Sequence, residues 1–132
     1  MMDKIAGIEI RNPFKSELDY FKRNPRVAGM AASDNKIIIN PFSGLMDEQK
    51  RLVAINEAAR VWMRTKDDFK PNFELTKQQK DFLDTTDYAG ASDQDRMATI
   101  AARILSGDPS AGQATPEQMM FVMDLKRAMF GE

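Results

Sequence analysis

Apolar side chains recur at helical spacing in five segments of the chain and predict five α-helices. In the segment with the most regular pattern, they occupy positions i, i+3, i+4, i+7 and i+8, namely Met97, Ile100, Ala101, Ile104 and Leu105. Polar stretches and helix-stop signals separate this segment from the other four. The predicted helices are residues 13–24, about 46–65, 77–84, 93–106 and 116–130.

Residue types that cap helices precede four of these five segments. Asn12 can accept a backbone hydrogen bond as an N-cap, and Pro13 fits the first turn of a helix. Thr76 and Thr115 each stand three residues before a glutamine, which is the spacing of a capping box. Ser92 is in position to cap the fourth helix. These signals place the helix starts more closely than periodicity alone does.

Between the first two helices the pattern changes from helical to extended and predicts a β-hairpin over residues 26–40. Three consecutive isoleucines at 37–39 favour a strand, and residues 33–35 have the composition of a turn. Gly29 in the first strand indicates a bulge or a close approach of the backbone to a neighbouring group. The expected fold class is therefore mainly α with one small β-hairpin, in a single compact domain that covers residues 1–132.

Composition narrows the chemistry more than any motif does. The chain of 132 residues contains neither Cys nor His, which excludes disulfides, thiolate nucleophiles, imidazole bases and most zinc sites. We therefore expect no catalytic residues, no bound metal and no cofactor. Because no apolar run can span a bilayer and the N-terminus lacks a signal peptide, we also expect no membrane insertion and no secretion by that route.

The net charge of −1 conceals two halves of opposite sign. Residues 1–66 carry 12 Lys and Arg against 8 Asp and Glu, whereas residues 67–132 carry 7 against 12. Cations and aromatic residues alternate near the end of the first helix and form a candidate nucleic-acid patch. Cations are also favourable at the C-terminal end of any helix, which accounts for them without a ligand. The patch comprises Lys15, Lys22, Arg23 and Arg26.

The longest predicted helix carries an amide on its apolar face. Leu52 and Ile55 lie on that face, and Asn56 falls within it at 100° per residue. A buried amide without hydrogen-bond partners costs about 1–3 kcal/mol, so we expect a polar network that involves Asn56 and Arg60. The helix follows a hairpin, as the zinc-binding helix of minimal metallopeptidases does, but these two residues stand where the zinc ligands would be.

The last predicted helix is apolar on nearly all sides, so most of its surface must be covered by its own chain or by a partner. Methionine is common at surfaces that adapt to a partner, and four of the ten methionines lie on this helix. Deep burial in the core of the chain is the alternative. We predict a partner-binding surface formed by Met119, Met120, Phe121, Met123, Met129 and Phe130.

Carboxylates are the groups through which an enzyme without histidine could act. Glu17 and Asp19 lie on the first predicted helix, which leads into the hairpin, and this order of elements is loosely similar to that of lysozyme-type folds. Paired carboxylates can hydrolyse glycosidic bonds. A carboxylate-dependent peptidoglycan hydrolase is therefore one hypothesis for function.

Both halves of the chain contain segments with a familiar sequence: Phe21-Lys22-Arg23-Asn24-Pro25, Val27-Ala28-Gly29-Met30-Ala31, Asp34-Asn35, Asn40-Pro41-Phe42, Asn56-Glu57-Ala58-Ala59-Arg60, residues 102–112 and Thr115-Pro116-Glu117-Gln118. These segments resemble a family of small, uncharacterised proteins encoded by tailed bacteriophages. The resemblance implies that the protein is found in the virion or in the cytoplasm of the infected bacterial host. It supplies no catalytic residues.

Three hypotheses for function follow from these observations. The first is a phage virion structural or assembly protein, without catalysis, that contacts other virion subunits or further copies of itself. The second is a small phage regulator that binds host polymerase or nucleic acid through the basic N-terminal half. The third is the peptidoglycan hydrolase.

Overall fold

A computed structural model describes residues 3–86 and 88–131 of the chain. Within this part, five α-helices account for most of the regular structure, which confirms the predicted mainly-α fold class. Each helix begins and ends within two residues of the bounds expected from periodicity. The helices are α1 (Lys15–Arg23), α2 (Asp47–Thr65), α3 (Lys77–Asp84), α4 (Asp93–Leu105) and α5 (Pro116–Phe130).

An antiparallel hairpin that was not expected from the sequence precedes α1. It pairs β1 (Lys4–Ile5) with β2 (Ile8–Glu9). The two turn residues, Ala6 and Gly7, both have positive φ angles, of 49° and 79°, as a tight two-residue hairpin turn requires. Strands of two residues show no alternation, and alanine is not a typical turn residue, so no sequence signal marked this element.

The predicted hairpin is present as a second antiparallel pair. It joins β3 (Gly29–Ala31) to β4 (Ile37–Ile39), and both strands lie within the predicted range 26–40. Ile10 forms a parallel bridge with Ile37 of β4. This bridge connects the N-terminal segment to the sheet.

The chain is organised as two compact units, Met1–Val61 and Trp62–Glu132, and the boundary lies inside α2. Each unit has its own buried apolar residues. The sequence prediction of a single compact domain over residues 1–132 stays a prediction.

The N-termini of α1 and α2 are capped from inside the helix. Phe14 rather than Asn12 occupies the N-cap position of α1, and the carboxylate of Glu17 accepts a hydrogen bond from the Phe14 backbone N–H at 2.7 Å. At the start of α2, the side-chain oxygen of Gln49 accepts from the Met46 backbone N–H at 2.9 Å. In both helices the third helical residue supplies half of a capping box, and α1 therefore begins later than Asn12 and Pro13 indicated.

Gly29 brings β3 into close contact with α2. A Cβ atom at this position would lie 2.8 Å from Cγ1 of Val53 and 2.9 Å from the Ile38 carbonyl oxygen. Both distances are shorter than van der Waals contact, so only glycine allows this approach. The sequence prediction of a close approach at Gly29 is confirmed.

We expect Gly29→Ala to lower the free energy of unfolding by about 1–3 kcal/mol, because the added methyl group forces β3 away from its neighbours. Gly90→Ala is the matched control, since a Cβ atom at Gly90 meets nothing within 4 Å. Urea unfolding followed by circular dichroism measures both variants. Equal unfolding midpoints for the two would contradict the close packing at Gly29.

In the second unit, α3 and α4 enclose a small apolar cluster. Leu83 and Ile100 are fully buried, and Leu75, Phe82 and Ile104 pack around them. A short 3₁₀ turn after α4 contacts both helices, and α5 packs against α4. Within the second unit, α4 thus supports α5.

Candidate functional site

The start of α5 is determined by two glutamine side chains. Thr76 and Thr115 are the N-caps of α3 and α5, and Gln79 and Gln118 complete the two capping boxes expected from the sequence. The two glutamine amides also bind each other. Nε2 of Gln79 donates to Oε1 of Gln118 at 2.7 Å, and Nε2 of Gln118 donates to Oε1 of Gln79 at 2.8 Å. We call this reciprocal pair the glutamine clasp.

Both side chains of the glutamine clasp are fully buried. Their oxygens also accept the backbone N–H groups of Thr76 and Thr115, and Nε2 of Gln118 donates to the Glu74 carbonyl oxygen at 2.8 Å. Buried amides are costly when they lose these partners. Because the partners surround the clasp from several directions, the first turn of α5 is held in one rotational position.

We expect Gln79→Leu to lower the free energy of unfolding by about 1–3 kcal/mol, because it removes two hydrogen bonds of the buried Gln118 amide and the acceptor of the Thr76 backbone N–H. The double variant with Gln118→Leu should lose less than the two single variants together, since no buried glutamine side chain is then left without its partner. Gln113→Leu, at an exposed position, is the control. Additive losses measured by urea unfolding would contradict the coupling of the two side chains.

One face of α5 is buried and the opposite face is exposed. Gln118, Val122, Leu125 and Met129 form the buried face, at positions i, i+4, i+7 and i+11. On the other side Met120 is 70% exposed and Met123 is 54% exposed, with Met119 at 40% beside them. These side chains form an apolar surface open to solvent. We call Met119, Met120 and Met123 the methionine face.

The structure narrows the predicted partner surface to the methionine face. Met129 is buried, Phe130 is half-buried, and the ring of Phe121 packs edge-to-face on that of Phe73, with the ring centres 5.5 Å apart. Since α5 is apolar on nearly all sides, its periodicity could not show which side turns inward. The direction of the buried face depends on the glutamine clasp.

Charged side chains of opposite sign flank the methionine face. Glu117 lies in the first turn of α5 and Arg127 in the last, where each sign is favoured by the helix dipole. Arg127 forms an ion pair with Asp124 at 3.5 Å, and both side chains are largely exposed. An apolar centre with a charged rim is the usual composition of a protein–protein contact surface.

The cations of the predicted basic patch all lie on the surface of the first unit. The ammonium group of Lys22 is 5.7 Å from the ring centre of Phe42, which is itself 45% exposed. Tyr20 instead packs edge-to-face against the buried ring of Phe21. The structure therefore adds an exposed aromatic ring to the patch that the sequence did not connect with it. The four cations are Lys15, Lys22, Arg23 and Arg26.

Glu17 belongs to an ion-pair cluster centred on Arg11. The Arg11 guanidinium donates to both Glu17 carboxylate oxygens, at 2.8 and 2.9 Å, and to Asp34 at 2.9 Å. These hydrogen bonds lower the pKa of Glu17 and of Asp34, and they outweigh the opposing effect of burial. Hydrogen bonding to Glu17 also raises the pKa of Arg11. Sequence spacing did not indicate the cluster, because Asp34 lies 23 residues from Arg11.

The geometry of Glu17 does not favour the hydrolase hypothesis. A general acid in a glycosidase needs a raised pKa, whereas Arg11 keeps Glu17 ionised. Asp19, the second carboxylate of the predicted pair, is exposed on the same helix. Glu17 instead joins α1 to the segment before it.

Acidic conditions should destabilise the protein partly through Glu17. The pKa of Glu17 is lowered on folding. Its contribution to the free energy of unfolding is therefore complete above the pKa of the unfolded chain, about 4.3, and is lost as the pH falls through the lower pKa of the folded state. We expect Glu17→Gln, which keeps the oxygen that caps Phe14, to weaken the dependence of stability on pH below about pH 4.5. Thermal unfolding between pH 2 and 6 measures this, with Asp19→Asn as control. If the stability of Glu17→Gln depended on pH as strongly as that of the unmodified protein, this role of Glu17 would be contradicted.

The predicted polar network on α2 lies at the edge of the buried stripe. Ala54 and Ala58 are fully buried, whereas Leu52 is 46% exposed. The buried stripe is thus rotated toward the small side chains, which allow neighbouring elements to approach closely. Asn56 and Arg60 are half-buried, whereas the spacing had placed Asn56 within the apolar stripe.

Asn40, which the sequence did not single out, is a fully buried amide of the first unit. Its Nδ2 donates to the Val27 carbonyl oxygen at 2.7 Å, and its Oδ1 accepts the Phe42 backbone N–H at 2.7 Å. These bonds join the end of β4 to the segment that enters β3. Asn40 therefore has a structural role in the hairpin.

A groove of about 670 Å³ lies in the first unit between the start of α2 and the N-terminal segment. Ile10 and Ile39 contribute apolar surface, and Asp47, Lys50 and Arg51 are among its charged residues. Acidic and basic side chains both line the groove, so its charge favours no particular ligand.

Across residues 3–86 and 88–131, no group of three acidic side chains is placed to hold a metal ion. None of the helices in this part of the chain combines the length and apolar character needed to cross a membrane. Comparison with models of protein families, with curated proteins and with solved structures finds no match.

Proposed function

We propose that this protein is a phage structural or assembly protein that binds other protein subunits through the methionine face of α5. The observation that carries the proposal is an apolar surface of three exposed methionines on a helix whose other side is buried. Flexible, polarizable methionine side chains adapt well to a protein partner. Contiguous exposed apolar side chains with a polar rim often mark interaction sites.

The contacts that hold α5 in place support this role. The glutamine clasp holds the N-terminal end of the helix, and Leu125 and Met129 hold the rest of its buried face. The backbone of α5 is therefore preorganised, which reduces the conformational entropy lost on binding, while the exposed methionine side chains can adapt to the partner. The phage setting is supported by the sequence resemblance described above.

We expect Met120→Asp to reduce incorporation of the protein into phage particles at least tenfold, because it places a carboxylate in the centre of an apolar contact. Particles purified from infected cells that produce each variant would be analysed by quantitative mass spectrometry. Met46→Asp is the matched control, since Met46 is 74% exposed and lies far along the chain at the start of α2.

Circular dichroism would show that both variants are folded. Equal incorporation of the two variants would contradict the assignment of the methionine face. Absence of the unmodified protein from particles and from assembly intermediates would contradict the proposed function itself.

A further inference from the structure

We infer that the methionine face binds the same face of a second copy of this chain, with the two α5 helices antiparallel. This inference rests on the proposed function, because it assigns a partner to the same surface. The order of charges along α5 selects this partner and this orientation.

The exposed side of α5 is acidic at its start and basic at its end. At 100° per residue, Arg127 projects about 20° from Met120 and Glu117 about 60° from it. Both charged residues are exposed, and Met120 and Met123 lie between them along the helix. A copy of α5 that covers the two methionines therefore meets Arg127 within the contact and Glu117 at its edge, about 120° from Met123.

An antiparallel pair places Glu117 of each copy beside Arg127 of the other, which also pairs with Asp124 of its own helix. The position halfway between Glu117 and Arg127 is residue 122, and the position halfway between Met120 and Met123 is within one residue of it. A single two-fold axis near residue 122 therefore brings Glu117 of each copy to Arg127 of the other and Met120 of each copy to Met123 of the other.

A parallel pair would have the opposite effect. It would bring the two Glu117 side chains together at one end and the two Arg127 side chains together at the other. Like charges in contact are unfavourable and select against that orientation. Because two single helices cover a small area, we expect a dimer that dissociates on dilution.

A charge-exchange experiment tests the pairing. Glu117→Lys and Arg127→Glu should each raise the dimer dissociation constant about tenfold or more, because each creates two repulsive contacts in a two-fold dimer. Mixing the two single variants, or combining both changes in one chain, should restore association. Lys80→Glu is the matched control, since Lys80 is an exposed lysine on α3 outside the methionine face, and it should leave the dissociation constant unchanged.

Sedimentation velocity over a concentration series measures all of these constants, and circular dichroism confirms that each variant is folded. Association that is weakened by the single changes and recovered in the mixture supports the antiparallel pair. Failure of the mixture and of the double variant to recover association would overturn it.

Spin labels give an independent measure of orientation. The chain has no cysteine, so Pro116→Cys provides a single labelling position at the exposed start of α5, about 40° from Met120 around the helix. Two labels should be separated by about 18 Å along the helix axis in the antiparallel dimer and should be side by side in a parallel one. Strong dipolar broadening from adjacent labels, measured by electron paramagnetic resonance, would overturn the antiparallel arrangement.

These experiments separate this inference from the proposed function. A protein that is monomeric at every concentration, but whose incorporation into particles depends on Met120, would overturn the self-pairing and leave the proposed function intact. Charge-exchange rescue in a protein that is absent from particles would support the pairing and overturn the proposed function.

Discussion

The reciprocal hydrogen bonds between Gln79 and Gln118 constrain the second unit more than any other interaction described. Hydrophobic burial is non-directional, and α5 is apolar on nearly all sides, so burial alone does not define which side of this helix faces inward. The two amides do, because each needs partners in particular directions. They lie at the third position of their helices, and each therefore caps its own helix while binding the other.

Arg11 has a comparable role in the first unit. Its guanidinium binds Glu17 of α1 and Asp34 of the hairpin turn, so one side chain joins three segments of the chain. Its neighbour Ile10 adds a bridge to β4. In both units, then, small apolar cores provide most of the stabilisation, and a few buried or half-buried polar groups determine the arrangement of the elements.

The candidate surface follows from these constraints. Gln118 of the glutamine clasp and Met129 lie on the buried face of α5, and Met120 and Met123 are left in solvent. The same orientation of the helix places Glu117 and Arg127 on the exposed side, at opposite ends of the methionine face. The properties that suit this surface to a protein partner, and in particular to a second copy, are thus consequences of one hydrogen-bonded pair that lies outside the surface itself.

The amino-acid sequence by itself determined the five helices, the β3–β4 hairpin, both capping boxes and the close approach at Gly29. All of these depend on residues a few positions apart or on the intrinsic geometry of one residue. Tertiary structure alone decided the β1–β2 hairpin, the role of Asn40, the rotation of the buried stripe on α2 and which methionines of α5 are exposed. The Gln79–Gln118 and Arg11–Asp34 contacts join residues 39 and 23 positions apart, and no local pattern shows which polar groups will meet once the chain has folded.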